Sequence, residues 1–420
     1  MNKRSFIKHA ALSGIGATMG MDALAAIFKT KNNISPATLA ADDAFWKGIR
    51  EHYILKTDYI NLENGYYNMT PQPTLEKYFE NIRYVNYHGA FYMRTMQVEN
   101  KQKMVAKLAN LVGCGVDELI ITRNTTESLD TIISGQHWEK GDEAVMALQD
   151  YGAMLDMFQQ VSDRHGVVLK KVSVPNHPSS DEELVSLYEN AITPKTKLLM
   201  ICHMINISGQ IMPVKKICDM AHSKGVAVMV DGAHAIAQLE FKIQDLNCDY
   251  YGASLHKWLG VPLGAGMLYV RKENVHKVWP LIADNEKDPH NIKRLNHTGT
   301  LPTATDLTIA DAIDYYMMIG VKRKEERLRY LQQYWTSKVR GVPKIVLNTP
   351  ADPQRACAIA NVGIEGIPPA TLAKRLLEEH KIYTVAIDNA NVQGCRITPN
   401  LYTTTAELDA LVAALKKLAA

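Results

Sequence analysis

Between residues 100 and 270, short apolar runs of strand length alternate with stretches of helical periodicity. "KQKMVAKLANLVG" puts Met104, Leu108 and Leu111 on one helical face and stops at Gly113, after which "ELIIT" reads as a buried strand. The rhythm continues through "EAVMAL", "GVVLKKVSV", "KLLMICH", "VAVMV" and "GMLYV". Each run alone is ambiguous between a strand and a buried helix segment. Their repetition predicts an α/β domain on a largely parallel sheet, because parallel neighbours need a crossover between them.

After residue 300 the texture changes to one long helical stretch, "ADAIDYYMMIGVKRKEERLRYLQQYW", then a strand, "KIVLNT", and a mixed tail. The expected organisation is an export-type leader over 1–25, an N-terminal segment over 26–60 that packs on the small domain, a large domain over 61–305, and a small α+β domain over 306–420. "KRKEERLR" reads as a solvated helix face, with Lys322 and Glu325 placed i,i+4 from Glu326 and Arg329. A nucleic-acid role finds no support: the net charge is +3, and Lys3, Arg4 and Lys8 of the leader account for much of it.

That leader has a basic start, "NKR", a weakly apolar stretch, "AALSGIGATMGM", and small residues at Ala23 and Ala25. Asp22 and several glycines interrupt it, and it is too short to span a membrane. "KRSFIK" resembles the twin-arginine export signal, with Lys3 where the first arginine normally stands. A periplasmic protein exported already folded is expected, or a cytoplasmic one if the signal is not used. Six cysteines (Cys114, Cys202, Cys218, Cys248, Cys357, Cys395) lack C-x-x-C or Cys/His metal spacing and read as small core residues, so no metal is expected.

Ligands of open α/β sheets sit at the carboxyl ends of the strands, so polar residues just after strand signals form a natural set. In "IITRNTTESLDTII", Asn124 and Glu127 have capping-box spacing, while Thr125 and Thr126 put hydroxyls on a helix start that also suits a phosphate; on this motif alone both readings stand. "VAVMVDGAHA" ends on Asp231, whose burial calls for a cationic or donor-rich partner. "GASLHKWLG" then brings Lys257, flanked by Ser254 and His256. A lysine at a strand end is ordinarily a solvated surface residue. An aspartate, a lysine and a hydroxyl-lined helix start on one sheet edge nevertheless match the needs of pyridoxal 5′-phosphate. The lysine must be neutral to form an imine with the cofactor aldehyde, the carboxylate keeps the pyridine nitrogen protonated, and the helix start receives the phosphate.

"DGAHA", "DYYGASLHKW" and "PLGAGMLYV" resemble the class V aminotransferases, fold-type I pyridoxal-phosphate enzymes that include cysteine desulfurases and an isopenicillin N epimerase-like branch; the likeness runs from about residue 60 to the C-terminus. It implies a large domain with a mostly parallel seven-stranded sheet, a smaller C-terminal α+β domain and a homodimer. It also implies site roles. Thr125, Thr126, Ser254 and His256 would bind phosphate, Tyr151 would stack on the pyridine ring, and Asn206 and His234 would lie near the phenolic oxygen. Gly299 and Thr300 in "HTGTLP" would reach the neighbouring subunit's phosphate, and Arg396 in "CRITPNLYTT" would offer a bidentate fork to a substrate α-carboxylate.

Tyr151 stands where the desulfurases typically have histidine, and "YTVAIDNANVQG" lacks the loop thiol their chemistry needs. The expected activity is therefore proton chemistry at the α-carbon of an amino acid or an amino-acid moiety, with Lys257 as base and Asp231 supporting the electron sink, as in an aminotransferase or an epimerase. A lyase or oxidative decarboxylase using the same lysine, and a non-catalytic cofactor-binding protein, are the alternatives.

Overall fold

Two short capped helices open the described chain, α1 (Pro36–Ala40), capped by Ser35, and α2 (Asp43–Arg50), capped by Asp42. The computed structural model describes residues 33–420, so the expected leader over 1–25 lies outside the described residues. β1 (Ile60–Asn61) pairs in parallel with Ile382–Tyr383, far along the chain. Next come α3 (Gln72–Thr95), interrupted at Gly89, and α4 (Gln97–Val112), which stops at Gly113 in the left-handed conformation.

The expected alternation follows: β2 (Leu119–Thr122), α5 (Thr125–Gly135), β3 (Glu143–Ala147), α6 (Gly152–His165), β4 (Val168–Val172), α7 (Asp181–Glu189), β5 (Thr196–Cys202), α8 (Val214–Ser223), β6 (Ala227–Asp231), α9 (Ile243–Leu246), β7 (Tyr250–Ser254) and β8 (Gly266–Val270). These seven strands form one sheet in the order β2-β8-β7-β6-β5-β3-β4. Only β8 runs against its neighbours. Along the strands, Leu199, Ile201, Val228 and Val230 join one buried cluster, while Leu198, Met200 and Met229 join another on the opposite face. A sheet covered on both faces needs apolar residues at successive positions, which is why these strands read as continuous runs. The carboxyl ends of β2, β5, β6 and β7 share one edge.

The stretch expected as a single long helix is two, α10 (Thr303–Ile319) and α11 (Val321–Val339), separated at Gly320, where φ is +96°. α10 packs on α3 and α4, and its Ile309, Ile313 and Tyr316 join the large-sheet core. The charged face of α11 is only partly solvated. Lys322–Glu326 (3.2 Å) and Glu325–Arg329 (2.7 Å) form as the spacing suggests, yet Lys324, Glu325 and Arg327 are buried. α1 and the loop after β7 cover that face, and each charge is partnered. Arg327 donates to the Ala40 carbonyl and the Asp43 carboxylate, and Lys324 donates to the Trp258 carbonyl.

The chain continues with β9 (Ile345–Leu347), β10 (Ala360–Ile364), α12 (Pro369–His380), β11 (Ile382–Tyr383), β12 (Val385–Asn389), β13 (Val392–Ile397) and α13 (Thr405–Ala419). An antiparallel sheet, β12-β13-β10-β9, packs on its own core of Trp335, Val362, Leu372 and Leu411. The β1–β11 pair and an Arg50–Glu407 ion pair (2.8 Å) fasten the N-terminal segment to this part of the molecule. Among the described residues, no helix is long and apolar enough to cross a membrane, and no group of His, Cys, Asp and Glu forms a metal site. Five cysteines are buried and Cys114 is half-buried.

Candidate active site

The turn from β2 into α5 sets one end of the site. Asn124, in extended conformation, accepts the Glu127 N–H (2.9 Å), but the reciprocal half of the expected capping box is displaced: Glu127 accepts the Arg123 N–H (2.7 Å) and guanidinium instead. Ser254, at the end of β7, reaches Thr125 through its hydroxyl (2.7 Å) and accepts the Thr125 N–H (3.0 Å). Gly266 at the start of β8 makes this approach possible, since a Cβ there would stand 2.6 Å from Asn124 Cα. A hydroxyl cluster on the N-terminus of an eleven-residue helix is a site for a phosphate.

Asp231 closes β6, buried, with Oδ1 accepting the Ala233 N–H (2.9 Å). Burial pushes its carboxyl up, opposed by that N–H and by Lys257. Lys257 follows β7 on the loop that starts at Leu255. Burial drives its ammonium down to about 8, with Arg396 adding to the fall and Asp231 and Glu63 opposing it. Its Nζ lies 3.2 Å from His234 Nε2, and the Trp258 indole N–H donates to His234 Nδ1 (3.3 Å). Burial, reinforced by Lys257 and Arg396, holds His234 neutral.

Thr125, Thr126, Tyr151, Asn206, Asp231, His234, Ser254, His256, Lys257 and Arg396 all line one cleft of about 300 Å³. Tyr151, the residue before α6, is 45% exposed there. His256 Nδ1 meets the Ala265 carbonyl (3.3 Å). Asn206 Oδ1 is buried with no hydrogen-bond partner among the described residues, an acceptor or, with the amide turned over, a donor awaiting a ligand atom. Gly299 and Thr300 are exposed and stand outside this cleft, so this chain does not bring them to its own Lys257.

Arg396 reaches the cleft but is already paired along one edge: Nη2 meets Glu63 Oε1 (2.5 Å), Nε meets Glu63 Oε2 (3.2 Å), and Nη1 donates to the Asn206 carbonyl (3.3 Å), which engages three of its five N–H groups. The small residue at position 65 makes room, because a Cβ on Gly65 would lie 2.8 Å from Arg396 Cζ. Glu63 was not evident from the sequence. Its signal is a carboxylate directly after the short apolar run "YINL", paired with a buried arginine more than 300 residues away. Trp258 and Arg123 were also missed as contributors, although both lie inside the motifs that drew attention to their neighbours.

The residues present fit pyridoxal 5′-phosphate. A phosphate seat, an orphaned amide, a carboxylate and a lysine of lowered pKa are arranged across a single cleft.

A family model described as aminotransferase class-V matches residues 69–411. The chain is 26% identical to isopenicillin N epimerase of Streptomyces clavuligerus, over 89% of this chain and 98% of that protein. Among solved structures, a cysteine desulfurase of Thermococcus onnurineus NA1 superposes with a TM-score of 0.77 at 22% identity, covering 89% of this chain and 97% of that one. A mutant of C-DES with glycine covalently linked to its PLP cofactor gives 0.76 at 20%, covering 87% and 98%. The fold shared with these structures is that of the fold-type I enzymes.

Proposed function

The chain belongs to the class V aminotransferases, and we propose that it acts at the amino-bearing carbon of an amino acid, or of an amino-acid moiety in a larger metabolite, as an aminotransferase or epimerase. The cofactor is pyridoxal 5′-phosphate. The observation that carries this reading is the convergence of Lys257, lowered to about 8, with Asp231 and the α5 N-terminus in one cleft.

Bound there, the cofactor supplies an electron sink that acidifies the bonds at the substrate's amino-bearing carbon. Thr125, Thr126, Ser254 and His256 would hold the phosphate, Asn206 and His234 would meet the phenolic oxygen, and Tyr151 would cover the ring. Asp231 would keep a proton on the pyridine nitrogen. Lys257, neutral in about a tenth of molecules at pH 7, would take the proton from the substrate carbon; giving it back on the same face leaves the configuration unchanged, so epimerisation would need a second proton donor on the opposite face, for which Tyr151 is the candidate. Persulfide chemistry is disfavoured, since no cysteine is among the cleft-lining residues and Cys395 is fully buried on β13.

A homodimer belongs to this proposal: Gly299 and Thr300, exposed and outside their own cleft, would serve a partner's phosphate. So does export to the periplasm, read from the leader. The decisive experiment is the visible spectrum of purified protein before and after borohydride, with the labelled peptide mapped. A yellow band lost on reduction, with the label on Lys257, supports the assignment. A protein that stays colourless with added pyridoxal phosphate removes it. Size measurement in solution and fractionation of cells test the dimer and the location.

A further inference from the structure

Three consecutive peptide groups around Lys257 are each held by a hydrogen bond. The His256 carbonyl accepts the Asn68 N–H (3.3 Å) and the Lys257 carbonyl accepts the Gly260 N–H (3.1 Å), both from the backbone. The Trp258 carbonyl accepts instead from a side chain, the amine of Lys324 in the first turn of α11, just past the break at Gly320. Lys324 is buried, and among the described residues it has no carboxylate partner. The neighbouring Glu325 is turned to Arg329 (2.7 Å) and to the Glu240 N–H (2.9 Å), while the Tyr316 ring lies 5.3 Å from Lys324 Nζ. A buried lysine without an anion is costly, and burial pushes this one down to about 7. Packing alone would be better served by an apolar side chain. What the lysine adds is a donor aimed at the residue after Lys257.

We propose that Lys324 is a positioning residue for Lys257: its donor holds the Trp258 carbonyl from α11 and so fixes both the backbone that aims Lys257 into the cleft and the indole that engages His234. This rests on the reading of Lys257 as the lysine that bonds the cofactor. The geometry is a closed circuit. Trp258 donates through its indole to His234 Nδ1 (3.3 Å), His234 Nε2 stands 3.2 Å from Lys257 Nζ, and the backbone joins Lys257 back to Trp258. Each peptide group is planar and each residue turns only about φ and ψ, so anchoring the groups on both sides of a residue leaves its side chain little choice of direction. Without the Lys324 donor the buried Trp258 carbonyl is unsatisfied, and its peptide turns toward another partner. That rotation tilts the indole and the lysine stem together. Because α11 continues through Leu331, Trp335 and Val339 into the core beneath the antiparallel sheet, the same bond ties the lysine loop to that core.

The test uses cofactor-free protein prepared from the holoenzyme, with the rate of pyridoxal phosphate capture per folded molecule read from growth of the visible band on the plateau above about pH 8. Lys324→Met keeps the stem and loses the donor. Lys324→Gln, of nearly the same size and equally uncharged, keeps an N–H. Arg327→Met disturbs α11 one turn further on, where the side chain meets Ala40 and Asp43 rather than the lysine loop. The plateau rate is expected to fall at least ~10-fold in Lys324→Met, to regain at least ~3-fold of that loss in Lys324→Gln, and to stay within ~2-fold of wild type in Arg327→Met. A merely structural role would make the two methionine variants alike and the glutamine variant no better than Lys324→Met; either result overturns the assignment. So does a wild-type crystal structure with Lys324 Nζ more than about 4 Å from the Trp258 carbonyl, a measurement that needs no variant to fold. A wild-type protein that forms no band removes the cofactor reading and this inference together, whereas a band with an unchanged Lys324→Met plateau removes Lys324 alone.

Discussion

Lys257 Nζ lies 3.2 Å from His234 Nε2, and the direction of that hydrogen bond is fixed from the far side of the ring. The Trp258 indole can only donate, so His234 Nδ1 must accept. A neutral imidazole then carries its proton on Nε2 and gives it to Lys257 in the molecules where that lysine is an uncharged amine, about a tenth of them at pH 7. The residue next to the lysine in sequence thus helps hold that lysine in its reactive form through a histidine on another segment.

Replacing Trp258 with Phe frees His234 to adopt the other tautomer and accept from an ammonium. The Lys257 pKa should rise, by about one unit at most, since a neutral hydrogen bond is worth ~0.5–1.5 kcal/mol and one unit is ~1.4 kcal/mol. The pH profile of pyridoxal phosphate capture by cofactor-free protein reads this directly; an unmoved profile would show that the tautomer does not matter.

In the wild-type protein, that capture rate should climb with pH and level off above about 8, the value at which burial sets Lys257. The reactive form is the deprotonated one. Roughly a tenth of it is present at pH 7, whereas an ordinary lysine would have a few parts in ten thousand and would still be gaining at pH 10. A profile without a plateau below pH 10 contradicts the assigned environment.

Asp231→Ala should retain some cofactor, because the phosphate seat and Lys257 are untouched, yet lose turnover by about 10²-fold or more, a magnitude typical of losing one preorganised electrostatic partner. Holo-fraction by absorbance and kcat on the same sample distinguish the two effects. Near-normal turnover would rule out the electron-sink role.

The Glu63–Arg396 pair should show itself in stability. Glu63→Gln and Arg396→Gln each leave a buried charge alone, at a cost of ~3–5 kcal/mol, and the double variant should cost less than the sum. Denaturant titration of the four proteins gives the coupling; strict additivity would mean the two side chains do not interact in solution.

Lys324, buried and bonded to the Trp258 carbonyl, is pushed by burial down to about 7. Its folded pKa lies below the unfolded value, so the unfolded chain binds the extra proton between about pH 7 and 10.5, and stability from this group rises with pH across that window. Lys324→Met should flatten that rise in pH-dependent unfolding; an unchanged slope would place the titration elsewhere.

Much of this was legible in the chain. The alternating runs fixed an α/β sheet because a strand covered on both faces must be apolar at successive positions, and the residues after β2, β6 and β7 converge because parallel strands end on one edge. Local spacing could name Asn124 as a cap but not the target of Glu127, which took the Arg123 N–H instead. It could not see that Gly320 breaks a helix whose charged second half is largely covered.

The sequence by itself determined the sheet, the order of its elements and the lysine, aspartate and threonines of the site, since these follow from short-range periodicity and from what lies at strand ends. Only the tertiary structure decided that Glu63 pairs with one edge of Arg396 and that Trp258 orients His234 toward Lys257. Those choices depend on groups brought within ~3 Å from distant positions in a buried space, where each charge and each N–H must find a partner. Pattern along the chain carries no record of who that partner is.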